Sequence, residues 1–274
     1  MHYDVCLEMV FTSLPYAERI AKIAACGFDR VEFWFHDGTF NGSDCSGGAK
    51  DANVLKKACA AAGVSINNMV VNSPDGSRGG ALARAEDRLK YLARLEDVIA
   101  FAKACGCRQA ITCAGNLQPG LSRNRMRRNI EETLGRAAAV AAKHNVVLFL
   151  ECLNTRTDHF NYFLDSSAEG AAIVRAVGSP NLRLLYDVYH MQIMEGSVIS
   201  NIEENLDVIG HFHGAGVPGR HELMDGELNY REIVRRIEAG GYTGAFGLEY
   251  SPALADHARS LRATRKYLER VLPQ

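Results

Sequence analysis

"VVLFLECL" (146–153), "SSAEGAAIVRAVG" (166–178) and "LRLLYDVYH" (182–190) follow one another and read as strand, helix and strand. The outer runs are short and apolar, as buried strands are, and the middle one has helical spacing. The same alternation extends in both directions. Upstream, strands are expected over 3–10, 29–35, 64–71 and 108–114, with helices over 15–28, 51–63, 81–106 and 124–145. Downstream, strands are expected over 207–216 and 243–250, with the weakest helical pattern around 200–207. Eight β/α units without a Pro/Gly/Ser linker predict an α/β fold, a single closed parallel (β/α)8 barrel occupying residues 1–274 as one domain. A doubly wound open sheet would need a Gly-rich phosphate turn after the first strand, and "EMVFTSLPY" (8–16) has none.

Composition narrows the function classes. An apolar fraction of 47% supplies a core, and 31 Lys and Arg against 32 Asp and Glu leave a formal charge of −1. Such a balance gives no drive toward a polyanion or an acidic membrane, so neither nucleic acid nor membrane is expected as a partner. The basic run "SRNRMRRN" (122–129) reads as the solvated start of a helix, answered by Glu131 and Glu132. Eight cysteines contain no C-x-x-C pair and read as reduced core residues, which points to the cytoplasm. No basic leader and no run of about 18 apolar residues is present, so neither export nor spanning is expected.

In barrels of this kind, chemistry collects at the C-terminal ends of the strands. There the last four strands place Glu151, Asp187, His213 and Glu249, spaced 36, 26 and 36 residues apart, one β/α unit each. Three carboxylates converging in an apolar mouth cannot all stay ionised without a compensating cation. A divalent metal is the simplest one. Three oxygen donors and one nitrogen, without a thiolate, suit Mn²⁺ or Mg²⁺, with Co²⁺ also accommodated, and no organic cofactor is expected. Cys152 falls on the opposite pleat and is assigned to the core.

His211 and His213 share a strand face, so if one points into the barrel both do, with His213 nearer the mouth as ligand and His211 beneath it. His190 lies three past Asp187 and can face the site only from a loop above the strand; spacing equally allows a surface histidine. Arg220 and His221 follow a Pro-Gly turn, where they either grip an oxygen-rich substrate or are solvated loop charges. Glu8 and Glu32 end the first two strands as mouth-lining or salt-bridged rim acids. Asn68 and Asn154 read as hydroxyl binders or turn residues, and the aromatics of "EFWF" (32–35) as a pocket wall or, for most of them, core packing.

At "LECLN" (150–154), "YDVYHMQIMEG" (186–196), "IGHFHGAGVPGRHE" (209–222) and "GELNYREIVRRIEAGGYTGAFGLEY" (226–250) the chain resembles the hydroxypyruvate isomerase family of the xylose-isomerase-like TIM barrel superfamily. The match is detailed in the C-terminal half and is carried in the N-terminal half by the alternating units and "CGFDRVEFWF" (26–35). The resemblance implies a metal-dependent isomerase of a small hydroxy-carbonyl compound or sugar. Glu151, Asp187, His213 and Glu249 would hold the metal, and His190 and Arg220 would contact substrate. Glu151 and Glu249 would act as catalytic base and acid around a cis-enediolate, most simply converting hydroxypyruvate to tartronate semialdehyde. Close hydroxypyruvate isomerases carry an amide where His213 stands, and ketose 3-epimerases of the superfamily carry histidine, so ketose 3-epimerase and 2-oxo-tetronate isomerase remain as alternatives. Two further alternatives are a phosphodiesterase resembling endonuclease IV, which would want more metal ligands and a basic groove, and a non-catalytic sugar-binding barrel lacking the acid pair. Self-association is the usual expectation for such barrels.

Overall fold

The computed structural model describes residues 1–40 and 44–269. Eight parallel strands close in sequence order into a barrel: β1 His2–Cys6, β2 Arg30–Phe33, β3 Ser65–Val70, β4 Gln109–Cys113, β5 Val147–Glu151, β6 Leu182–Asp187, β7 Ile209–Gly214 and β8 Ala245–Leu248. Around them run α1 Tyr16–Ala25, α2 Ala52–Ala62, α3 Arg88–Cys105, α4 Arg123–Lys143, α5 Ser167–Val177, α6 Val188–Met194, α7 Val198–Asn205, α8 Tyr230–Ala239 and α9 His257–Glu269. The β/α alternation is thus realised in full; most strand ends are trimmed by one to four residues, while β1 starts one residue early and β6 starts at Leu182 as expected. The last residues assigned to the domain, 270–274, lie outside the described residues.

Local chemistry fixes the helix boundaries. Asp51 accepts the N–H groups of Asn53 and Val54 at the start of α2, and Gly63, at φ 67°, closes it. Ser166 and Gly178 bracket α5 in the same way. The main core fills the space between strands and helices, whereas Phe35, Val70, Ile111, Phe149 and Leu185 form a second apolar cluster. Period-2 geometry pairs Phe149 with Glu151, and Leu185 with Asp187, on one face of their strands. A register shift between Val31 and Phe33 breaks the β2–β3 ladder. Asn67 and Asn68 can then both serve buried acids, Asp4 at 2.8 Å and Glu32 at 2.7 Å.

Two expectations are corrected. The helix expected over 81–106 starts at Arg88, after a single 3₁₀ turn over 85–87. The backbone of 81–83 is committed elsewhere: Ala83 N–H donates to Ala114 O at the exit of β4, and Ala81 N–H to Asp87. The strand expected over 182–190 ends at Asp187, whose Oδ1 accepts the N–H groups of Tyr189 (2.8 Å) and His190 (3.2 Å) and caps α6. His190 therefore stands on a helix and not in a loop. Among the described residues no helix is long and apolar enough to cross a membrane.

Candidate active site

The four acid and imidazole positions at the ends of β5 to β8 meet. Glu151, Asp187, His213 and Glu249 are all buried, and each offers one donor atom within 4.8 Å of the others. His213 sits at the centre: Nδ1 is 3.5 Å from both Glu151 Oε1 and Glu249 Oε2. Its other nitrogen, Nε2, is 3.1 Å from Glu32 Oε1. A carboxylate behind one ring nitrogen fixes the imidazole tautomer and turns the other nitrogen's lone pair forward. Consistent with that, Nδ1 has no hydrogen-bond partner among the described residues.

Beneath lies a second buried layer. His211 Nε2 lies 3.3 Å from Glu32 Oε2 and 3.2 Å from Asn68, and its ring stacks on Phe149. Of its two readings Glu32 takes the inward one: it lines the floor of the mouth and supports His213, and Asn68 donates to it. Gly247 makes room for them. A Cβ there would fall 2.6 Å from His213 Cδ2 and 2.8 Å from Glu32 Oε1.

Electrostatics show how crowded this charge is. Burial, reinforced by Glu249 and Glu151, lifts Asp187 to about 7 against the pull of Arg220 and His213. Burial likewise raises Glu151, although His213 opposes it. For Glu249, burial is outweighed by Arg220 and His213, which bring it down to about 2. Burial would lower His213, but Glu32 and Glu249 raise it well above the usual imidazole range. Protons therefore stand where compensating positive charge is wanted. The donor set, the forward-facing Nδ1 and the charge shortfall fit a divalent cation.

Arg220 follows Gly219 with φ 57°, and its backbone carbonyl accepts the N–H of Ser251 at 2.8 Å. Its Nη2 donates to Glu249 Oε2 and comes within 3.9 Å of Asp187 Oδ2, with the guanidinium 5.0 Å over the Tyr189 ring. Of the two readings for this loop, Arg220 takes the inward one. His221 turns away, exposed, with Nδ1 2.9 Å from Ser251 O.

His190 is fully buried, and Nδ1 accepts the backbone N–H of Asn154 (3.2 Å) and its side-chain amide (2.7 Å). The proton is thereby assigned to Nε2, which has no hydrogen-bond partner among the described residues and lies 3.6 Å from Asp187 Oδ2. Burial and Arg220 push this ring well below the usual range, so it stays neutral. Asn154 is a turn residue with a second role, since Oδ1 accepts Thr157 and Asp158 N–H while Nδ2 sets the His190 tautomer.

Glu8 is a buried ion-paired acid, not a rim one, 3.0 Å from Lys50 Nζ and bonded to Tyr16 Oη at 2.7 Å. Of the "EFWF" aromatics Trp34 takes the pocket-wall reading, and its Nε1–H donates to Glu249 Oε1 at 2.7 Å; His159 and Arg78 carried no reading from sequence. All three line a cavity of about 620 Å³ above the cluster, together with His190, Arg220 and Leu153. The signal available for Trp34 was its place one residue past β2, at the same level as the acids that end the other strands. His159 and Arg78 sit on loops whose course no periodicity reveals.

Fold and site together define a class: a (β/α)8 barrel that gathers three carboxylates and an imidazole at its C-terminal mouth, at the foot of a cavity. The chain belongs to the xylose isomerase-like TIM barrel family, whose model matches residues 20–267. It is 36% identical to the Homo sapiens protein named "Putative hydroxypyruvate isomerase", covering 98% of this chain and 96% of that one. It is 33% identical to the 2-oxo-tetronate isomerase of Cupriavidus necator, over 90% and 91% of the two chains. A solved structure named "AP endonuclease, family 2" from Brucella melitensis superposes with a TM-score of 0.85 at 29% identity, over 97% of this chain and 99% of that one.

Proposed function

We propose that this protein is a cytoplasmic, single-domain isomerase of a small hydroxy-carbonyl acid, converting hydroxypyruvate to tartronate semialdehyde through a cis-enediolate. The observation that carries the reading is the pair Glu151 and Glu249, each 3.5 Å from the same imidazole nitrogen and both at the foot of the cavity. A divalent cation, Mn²⁺ or Mg²⁺ with Co²⁺ also suited, held by Glu151, Asp187, His213 and Glu249, would polarise the substrate carbonyl and neutralise charge developing on oxygen.

The chain's own groups account for the rest. A glutamate carries the proton: it leaves C3 of hydroxypyruvate for a carboxylate oxygen and returns to C2, while the C3 hydroxyl proton passes to the C2 oxygen, so that no atom is gained or lost. His190, neutral and with Nε2–H unspent, donates to a substrate oxygen without adding charge. Arg220 lies where a substrate carboxylate would find a guanidinium. The names of the human and C. necator relatives support the reaction class.

The cavity favours a second reading beside the first. About 620 Å³ exceeds what a three-carbon acid fills, so a 2-oxo-tetronate is the alternative substrate within the same chemistry, followed by a ketose inverted at C3. DNA cleavage has the name of the B. melitensis structure behind it and the formal charge of −1 against it. Self-association rests on the family resemblance alone.

The test is a panel assay of Mn²⁺-loaded protein on hydroxypyruvate, 2-oxo-tetronates, erythrulose, fructose, tagatose, psicose and a duplex with an abasic site. Isomerisation of one of the acids is expected, abolished in a folded Glu249→Gln variant. Nicking of the duplex with no turnover of any hydroxy-carbonyl compound would overturn the proposal, as would full activity after exhaustive chelation.

A further inference from the structure

Glu151 and Glu249 are not equivalent. Both oxygens of Glu249 are held: Oε2 by Arg220 Nη2, and Oε1 by the indole N–H of Trp34 at 2.7 Å. For Glu151 the contact is His213 Nδ1, 3.5 Å from Oε1, and among the described residues no donor holds Oε2. Glu151 nonetheless lines the cavity. The two acids stand at the ends of β5 and β8, three strands apart around an eight-strand barrel, and so approach a bound substrate from different sides.

Trp34 is itself fixed. Its backbone N–H donates to Glu8 Oε2 at 3.1 Å, and Glu8 is locked by Lys50 at 3.0 Å and Tyr16 at 2.7 Å. Its ring meets Phe40 edge-on at 5.1 Å between centroids. An acceptor that already receives a short hydrogen bond from a rigid donor is a poor proton carrier, because taking a proton means breaking that bond.

We infer that Trp34 is a positioning residue that engages the second oxygen of Glu249 and leaves Glu151 the one glutamate of the pair free to carry the proton. This deepens the proposed function and rests on it. With one working base, the proton is removed and returned on the same face of the enediolate, which gives isomerisation. Inverting a carbinol carbon needs a free base on each face. Trp34 is thus the element of this chain that selects isomerisation over 3-epimerisation.

Because the chain holds a single tryptophan, biosynthetic replacement changes position 34 alone. β-(3-Benzothienyl)alanine keeps the shape and removes the N–H, whereas 7-azatryptophan keeps both. In the metal-loaded enzyme the benzothienyl form should lose roughly 10- to 100-fold in kcat, the weight of a hydrogen bond to a charged acceptor, with KM within about twofold. The aza form should restore it. With substrate deuterated at the donor carbon and assayed in light water, the native enzyme should carry part of the label to the neighbouring carbon. The benzothienyl form should carry less, a change that lost packing would not produce. An unchanged kcat in that form, or inversion at C3 of a ketose by the native enzyme as fast as isomerisation, overturns the proposal.

A readout without turnover separates this from the reaction assignment. In metal-free protein, Glu249→Ala should alter the emission of Trp34 and Glu151→Ala should not. If the panel shows no isomerase activity but the emission responds in this way, the proposed function falls and the Trp34 contact stands. Emission indifferent to Glu249 removes the contact.

Discussion

Cation binding should be steeply dependent on pH between 5.5 and 7.5. The perturbation is protonation of Asp187, which burial lifts to about 7 from an ordinary 3.8. A cation needs the ionised form, so affinity must fall as pH falls through that value. With a midpoint near 7, roughly three quarters of Asp187 is ionised at pH 7.5 and about 3% at pH 5.5, a loss of roughly 25-fold, or about 2 kcal/mol, from this residue alone. His213 and Glu151, both raised, steepen the dependence. Glu249, at about 2, stays ionised throughout and adds nothing. Isothermal titration with Mn²⁺ in two buffers of different ionisation enthalpy that do not bind the ion measures affinity and proton release together. At least about 0.5 proton per site should be released at pH 7. The sign reverses for folding: native Asp187 holds its proton more tightly than the unfolded chain does, so in metal-free protein its contribution erodes stability as pH rises from about 4 to about 7. An affinity flat across 5.5–7.5, or binding without proton release, would refute the placement of Asp187 in the cation site.

Three further outcomes are expected. Lys50→Met should cost about 3–5 kcal/mol in denaturant unfolding, because it leaves Glu8 buried without its counter-ion and strips donors from Phe35 O (2.5 Å) and Gly38 O (2.6 Å); a loss below about 1 kcal/mol would contradict the pairing. Gly247→Ala should push on His213 and Glu32 together and weaken Mn²⁺ roughly 10- to 100-fold, and unchanged affinity would mean the two side chains have room to yield. Asn154→Ala should free the His190 tautomer and lower kcat more than thermal stability, measured by steady-state kinetics beside calorimetry; a fall in Tm with normal kcat would make Asn154 only a turn residue.

The barrel was legible because its signal is repetitive: eight apolar runs with helices between them tolerate errors of several residues at any one boundary. The four cluster residues were legible for a related reason, since strand ends fall at one height in a closed barrel and an acid or imidazole at the end of each successive strand is visible as spacing. Pairings were not legible. Glu8 and Glu32 look alike in the sequence as acids near the ends of β1 and β2, yet Glu32 lies within its strand opposite Cys6 and underpins His213, whereas Glu8 lies two residues beyond β1 and pairs with Lys50. The helix start at 88 rather than 81 went unseen because Ala83 N–H is claimed by Ala114 O just past β4, a tertiary contact without a local code, and Ala81 N–H by the Asp87 side chain. Trp34 is legible only as one of a group of aromatics, pocket wall or packing, and its indole nitrogen, which no hydrophobic pattern registers, sets it apart.

Asp187 serves as helix cap and cluster member at once, and this restricts how position 187 can drift. Its Oδ1 is spent on Tyr189 and His190 N–H, leaving Oδ2 for the mouth. Asparagine or serine would keep α6 in place and silence the charge. Glutamate would keep the charge and, being one methylene longer, forfeit the cap that aims His190. None of these three substitutions preserves both halves, so the charge at the mouth and the start of α6 are tied to one side chain.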